Sequence, residues 1–113
     1  MGGFGTLIWN LKTDEMYLSE GIYRIFGIKR TSKLAVAELV TSAVHPDDME
    51  AANASLAAAA GGEPLDLIHR VVHPNGQVRV VHAKGQRIEG DADNPSIVLG
   101  TIVDITPTDG TQG

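Results

Sequence analysis

The sequence predicts an α+β fold, and three observations carry that expectation. Residues 6–11, and everything from Leu65 onward, show the composition and period of β-strands. Residues 19–60 instead place their apolar side chains at helical spacing. At 113 residues, 42% hydrophobic and 20% charged, the chain has room for one domain with a modest core.

Each element has a local reason. Residues 6–11 are rich in β-formers and end at the polar turn Lys12-Thr13-Asp14-Glu15, and residues 16–18 resume an extended pattern, so a first hairpin is expected. Ser19 is a good helix N-cap, with Ile22, Ile25 and Phe26 following at helical spacing until Gly27 ends the helix. Ser32 is expected to cap a second helical segment whose apolar positions are Leu34, Leu39 and Val40. His45-Pro46-Asp47-Asp48 opens a third. Proline suits the first turn, and the two aspartates face the positive end of the helix. This helix runs through an alanine-rich stretch to Ala60 and stops at Gly61-Gly62, and its small residues suit close packing on a sheet. Three strands are expected at 65–73, 77–88 and 96–106, with residues 91–95 as a turn, and 107–113 read as a flexible tail or truncated connector.

The stretch His73-Pro74-Asn75-Gly76 sets the register of the hairpin between the first two of those strands. A two-residue Asn-Gly turn would require a backbone donor from residue 74, and proline has none. A type I turn with Pro74 second and Gly76 left-handed fits instead. It places His73 opposite Gln77, His69 opposite Val81 and Ile68 opposite His82. His69 and His82 then lie on opposite faces, which disfavours a three-histidine metal site. Only the alternative turn would bring them together.

Composition removes several function classes. Nine basic against 14 acidic residues give a net charge of −5, with no basic stripe for nucleic acid or an anionic membrane. There is no cysteine, so disulfides and thiolate chemistry are excluded. No apolar run reaches spanning length, and a cytoplasmic domain is expected.

The order of elements and several motifs resemble a PAS domain, of the bacterial subtype with a His-Pro-Asp-Asp segment. The matching pieces are Gly5-Thr6, Trp9-Asn10, Leu18-Ser19-Glu20, Tyr23-Arg24-Ile25-Phe26-Gly27 and His45-Pro46-Asp47-Asp48. They continue with Arg70-Val71-Val72-His73-Pro74-Asn75-Gly76, Val81-His82-Ala83-Lys84-Gly85 and Gly100-Thr101-Ile102-Val103-Asp104-Ile105-Thr106. The likeness covers residues 4–106. It implies a single sensor domain over residues 1–106 with the PAS fold, a five-stranded antiparallel sheet with short helices packed on one face. The function it implies is non-catalytic sensing or protein interaction in a bacterial signal-transduction protein. The output module in the same parent chain would be a histidine kinase, a cyclic-dinucleotide enzyme or an RNA-binding regulator. Two positions depart from the family: Val80 stands where a tryptophan is common, and His69 where an inward aromatic is common.

The residues and this resemblance together point to candidate sites. A pocket between sheet and helices would be lined by Trp9, Ile25, Phe26, Leu39, Val44, His69 and Val81 and would take a small organic ligand. The competing reading makes the same residues the solid core of a ligand-free dimerisation module. Cysteine-linked flavin or coumaroyl chemistry is excluded, and haem is disfavoured because residues 47–60 hold no histidine, leaving only His45 or His69. Noncovalent flavin is disfavoured because residues 65–71 are mostly aliphatic. An enzyme would have to use His45 with Asp47 and Asp48, and the resemblance makes His45 a feature of non-catalytic domains. Ile68, Val72, Val78 and Val80 give the outer sheet face an apolar patch that needs a cover. Only Met1 to Phe4 precede the first strand here, so the expected cover is either a second copy of the chain, the homodimer, or a helix of the parent protein that has been cut away. Asp104 and Thr106 are the candidates for passing a signal on to the output module.

Overall fold

In a computed structural model, residues 3–30 and 34–107 are described. They form strands β1 (Phe4–Asn10) and β2 (Glu15–Leu18), helix α1 (Glu20–Phe26), a two-residue strand β3 (Leu34–Ala35) and helix α2 (Val36–Ala43). A 3-10 turn (Pro46–Asp48) leads into α3 (Met49–Ala60), and strands β4 (Leu65–Val72), β5 (Val78–Ile88) and β6 (Ile97–Asp104) complete the chain. Every pairing is antiparallel, in the order β3-β2-β1-β6-β5-β4.

The sheet therefore has six strands rather than five. The sixth is β3, which adds Leu34 and Ala35 to the free edge of β2 opposite Met16 and Glu15. This pairing takes the first residues of the expected second helix, so α2 starts at Val36. Its N-cap is Ala35, whose amide donates to the Glu38 carboxylate at 3.2 Å. The cap expected at Ser32, and the tail from residue 108 onward, lie outside the described residues. The first strand also begins earlier, at Phe4, because β6 offers a continuous partner out to Val103.

Leu7, Trp9, Met16, Val71, Val81, Val98 and Ile102 face inward from the sheet and meet Ile22, Ile25 and Phe26 of α1, Leu39 of α2 and Ala59 of α3. Helix α1 crosses β1 at two glycines. A Cβ on Gly5 would sit 2.4 Å from the Ile22 side chain, and one on Gly21 would sit 2.0 Å from the Phe4 carbonyl oxygen. Ser19 stands at the α1 N-cap, but its hydroxyl accepts the Thr6 amide at 2.8 Å and ties the helix start to β1 instead of capping the helix.

The β4–β5 hairpin has the expected register, His69 opposite Val81 and Ile68 opposite His82. The His73 amide donates to the Gln77 carbonyl at 2.8 Å, the Gly76 amide donates to the His73 carbonyl at 2.8 Å, and Gly76 takes the left-handed conformation at φ 90°. The first and last strands, β1 and β6, are neighbours at the sheet centre. The Asp104 amide donates to the Gly3 carbonyl at 2.8 Å, so the described chain enters and leaves at one end.

Candidate functional site

His69 points from β4 into the space between sheet and helices and is 7% exposed. Its ring meets Phe26 edge-on at 6.4 Å between centroids. Nδ1 lies 3.3 Å from the Arg70 carbonyl oxygen and donates to it, which leaves Nε2 as an acceptor. Burial lowers the His69 pKa below 6.5, because charging the ring there forfeits solvation. The ring borders a cavity of about 50 Å³ whose other walls are apolar.

Of the seven pocket candidates, Phe26, Leu39, Val44 and His69 line this cavity. Trp9, Ile25 and Val81 are buried beside it; the Trp9 indole N–H is spent on the Asp14 carboxylate at 2.9 Å. Leu7, Met16 and Ile102 also reach the cavity. Leu7 lies on β1 at the parity of Trp9, the signal that would have found it, whereas β2 and β6 carry no pocket candidate to mark the inward parity for Met16 and Ile102.

Two arginine–aspartate clamps flank the hairpin. The Asp48 carboxylate accepts the Arg70 backbone amide at 2.7 Å, Nε at 3.0 Å and Nη2 at 2.9 Å. Hydrogen bonding from the Arg70 side chain holds the Asp48 pKa at about 2, against 3.8 ordinarily. The His45 amide donates to the Arg70 carbonyl at 3.0 Å, so residues 44–48 stand in for a neighbouring strand along the exposed edge of β4. The side-chain cap of the 3-10 turn is His45, whose Nδ1 accepts the Asp47 amide at 3.1 Å. Asp48 thus does more than face a helix end: it is the anchor between the helical layer and β4.

The second clamp is at the chain exit. Arg79 donates through Nε (2.9 Å) and Nη2 (2.6 Å) to one oxygen of Asp104. The other oxygen accepts the Thr106 amide at 2.9 Å and hydroxyl at 2.6 Å, and the Thr106 oxygen accepts the Val80 amide at 2.8 Å. Burial pushes the Asp104 pKa up, but the Thr106 and Arg79 hydrogen bonds outweigh it and the net shift is downward. Arg79 is a site residue that the sequence reading does not single out. A charged residue at the inward parity of Val81 and Ala83 is itself the signal for a buried partner.

His73 leaves the hairpin turn toward α1, where its Nε2–H donates to the Ile25 carbonyl at 2.7 Å, one of the orphan acceptors of the helix C-terminus. His82 lies on the outer face, 2.6 Å from the Asp66 carboxylate. Ile68, Val72, Val78 and Val80 share that face. Ile68 is 57% exposed and Val78 43%, while Val72 and Val80 are half-buried. The apolar surface extends across the sheet to Phe4, Ile8, Tyr17, Leu99 and Val103, a half not foreseen from the sequence. No helix among the described residues is long and apolar enough to cross a membrane.

The family model described as the PAS fold matches residues 15–102. A sensory box histidine kinase/response regulator from Burkholderia thailandensis is 29% identical, with a TM-score of 0.72 over 96% of this chain and 80% of that one. The N-terminal domain of a diguanylate cyclase with PAS/PAC sensor from Marinobacter aquaeolei is 20% identical, with a TM-score of 0.78 over 92% of this chain and 96% of that one. An RNA-binding light-oxygen-voltage receptor shares 20% identity and the fold at a TM-score of 0.73, over 92% of this chain and 30% of that one. No curated protein matches the sequence.

Proposed function

The chain belongs to the PAS family, and from that premise we propose that it is a non-catalytic interaction module of a cytoplasmic bacterial signalling protein, working as a homodimer through the outer face of its sheet. The exposed apolar surface of that face carries the reading, with Ile68, Phe4 and Leu99 at 57%, 67% and 44% exposure. Solvent-facing sheet positions are normally polar, and a patch this wide is stabilised by cover. Self-association fits because the patch is split: Ile68 and Val78 lie at one side, Ile8 and Leu99 at the other, with the polar pair His82–Asp66 and Thr6 opposite Thr101 between. Two copies related by a two-fold axis bring apolar island onto apolar island.

The interior supports interaction ahead of ligand capture. A cavity of about 50 Å³ is about a third of the roughly 150 Å³ that accommodates benzene. The Asp104–Thr106 network is the proposed relay, since it fastens the departing chain to β5 through Arg79 and Val80. An output domain of the same parent protein would read whether it is fastened.

Sedimentation velocity over a concentration series tests the proposal. A monomer–dimer equilibrium in the micromolar range is expected, because the gain from burying such a patch is largely offset by association entropy. Ile68→Glu and Val80→Glu should each return a folded monomer. A wild-type chain that stays monomeric at high concentration, or a dimer indifferent to both substitutions, overturns it.

A further inference from the structure

We propose a second site, for a small organic or inorganic oxyanion of the carboxylate or phosphate class, in the cleft where the chain enters and leaves the domain. The cleft measures about 200 Å³, against about 50 Å³ for the interior cavity. Its polar walls are Arg24 from α1, His73 from the hairpin turn, and Arg79 and Asp104 from β5 and β6. In a chain of net charge −5, this one cleft gathers two guanidinium groups and an imidazole around a single carboxylate.

The donors left over point to the ligand class. Arg79 uses Nε and Nη2 on one oxygen of Asp104, which among the described residues leaves Nη1 uncommitted. Arg24 is exposed. His73 spends its Nε2–H on the Ile25 carbonyl, so its Nδ1 is an acceptor in the neutral ring and the anion's donors are the two guanidinium groups, with the imidazole serving as a wall. Guanidinium forks matched to planar or tetrahedral oxygens make the strongest charge-assisted hydrogen bonds available to a protein.

The walls are fixed by close packing. A Cβ on Gly27, which adopts φ 69°, would lie 2.6 Å from the His73 ring, and one on Gly21 would lie 2.0 Å from the Phe4 carbonyl oxygen. Those two glycines let α1 settle so that Arg24 overhangs the cleft. An anion there competes with Asp104 for Arg79. Asp104 in turn orients Thr106, so occupancy would loosen the chain exit. The cleft lies outside the interior pocket expected from the sequence, and it does not depend on dimerisation.

Titrating the whole chain separately with inorganic phosphate and with succinate, at constant ionic strength and followed by NMR, tests the site. Saturable shifts at Arg24, His73 and Arg79, moving together with Asp104 and Thr106, are expected for at least one anion. Saturation by phosphate alone assigns a phosphate-bearing ligand, and by succinate alone a carboxylate. Arg24→Gln should weaken binding about tenfold, whereas Lys84→Gln, on the outer sheet face, should leave it unchanged. No saturation by either anion up to about 50 mM, far above the roughly millimolar range expected of two charge-assisted contacts, overturns the proposal. So does an affinity that Arg24→Gln does not alter, or shifts that map elsewhere.

Discussion

Arg70 and Arg79 stand one step apart across the same hairpin, Arg70 opposite Val80 and Arg79 opposite Val71, and each grips an aspartate far away in sequence. Their tasks differ because of what each aspartate is attached to. Asp48 is the N-cap residue of α3, whose buried side chains are the small Ala52 and Ala59, so the carboxylate adds a polar tie between layers to the packing of Met49 and Leu56. Asp104 ends β6, which is already laddered to β5 from Val81 to Ile88. Its clamp adds little to holding the strands together. What it holds in place is Thr106, through the second carboxylate oxygen. An ion pair of the same composition is architectural in one place and positional in the other.

The largest expected effect is Asp48→Ala. It removes the acceptor of the Arg70 backbone amide and guanidinium together; water can reach the half-exposed guanidinium but not restore the tie to β4, and a loss of about 1–2 kcal/mol in urea unfolding is expected. If the loss matches an ordinary surface pair, about 0–1 kcal/mol, the architectural role fails.

Acid should probe the same clamp. Asp48 titrates at about 2 when folded and near 3.8 when unfolded, so the unfolded state takes up the proton first. The stability it contributes is complete above about pH 4 and is lost as pH falls toward 2. After allowance for solvent screening, this amounts to about 1–2 kcal/mol. Asp48→Asn should flatten that part of the profile, as followed by thermal unfolding.

Asp104→Ala is expected to cost only about 1 kcal/mol, because Arg79 borders an open cleft where water can replace the carboxylate. Its signature is local. Amide exchange at Val80 and Thr106 should speed up by about tenfold while the β5–β6 ladder stays protected. Global unfolding instead would make the two clamps equivalent.

His69→Phe gives the smallest change, within about 1 kcal/mol, since it removes a buried polar ring while keeping an edge-on contact with Phe26. With its folded pKa below 6.5, His69 contributes stability that is present above about pH 6.5 and lost as pH drops below it, because the unfolded ring protonates first. The substitution should remove that acid-side decline near neutrality.

Element order and hairpin register were legible in the residues alone, and the inward turn of His69 followed from that register together with the PAS resemblance. The first two depend on local rules: strand parity, a proline that cannot donate, and a glycine that tolerates positive φ at residue 76. Asp104 and Thr106 were also marked for the exit, although without a partner for either. The sixth strand needed tertiary contact, since Leu34 and Ala35 become extended because β2 leaves an edge free. So did the pairing of Asp48 with Arg70, 22 residues away, and of Asp104 with Arg79, 25 residues away. The second apolar half of the outer face and the cleft shared by Arg24, His73 and Arg79 became visible in the same way. Periodicity says which way a side chain points. What it meets there depends on which distant strand or helix folding brings alongside, and no local pattern carries that information.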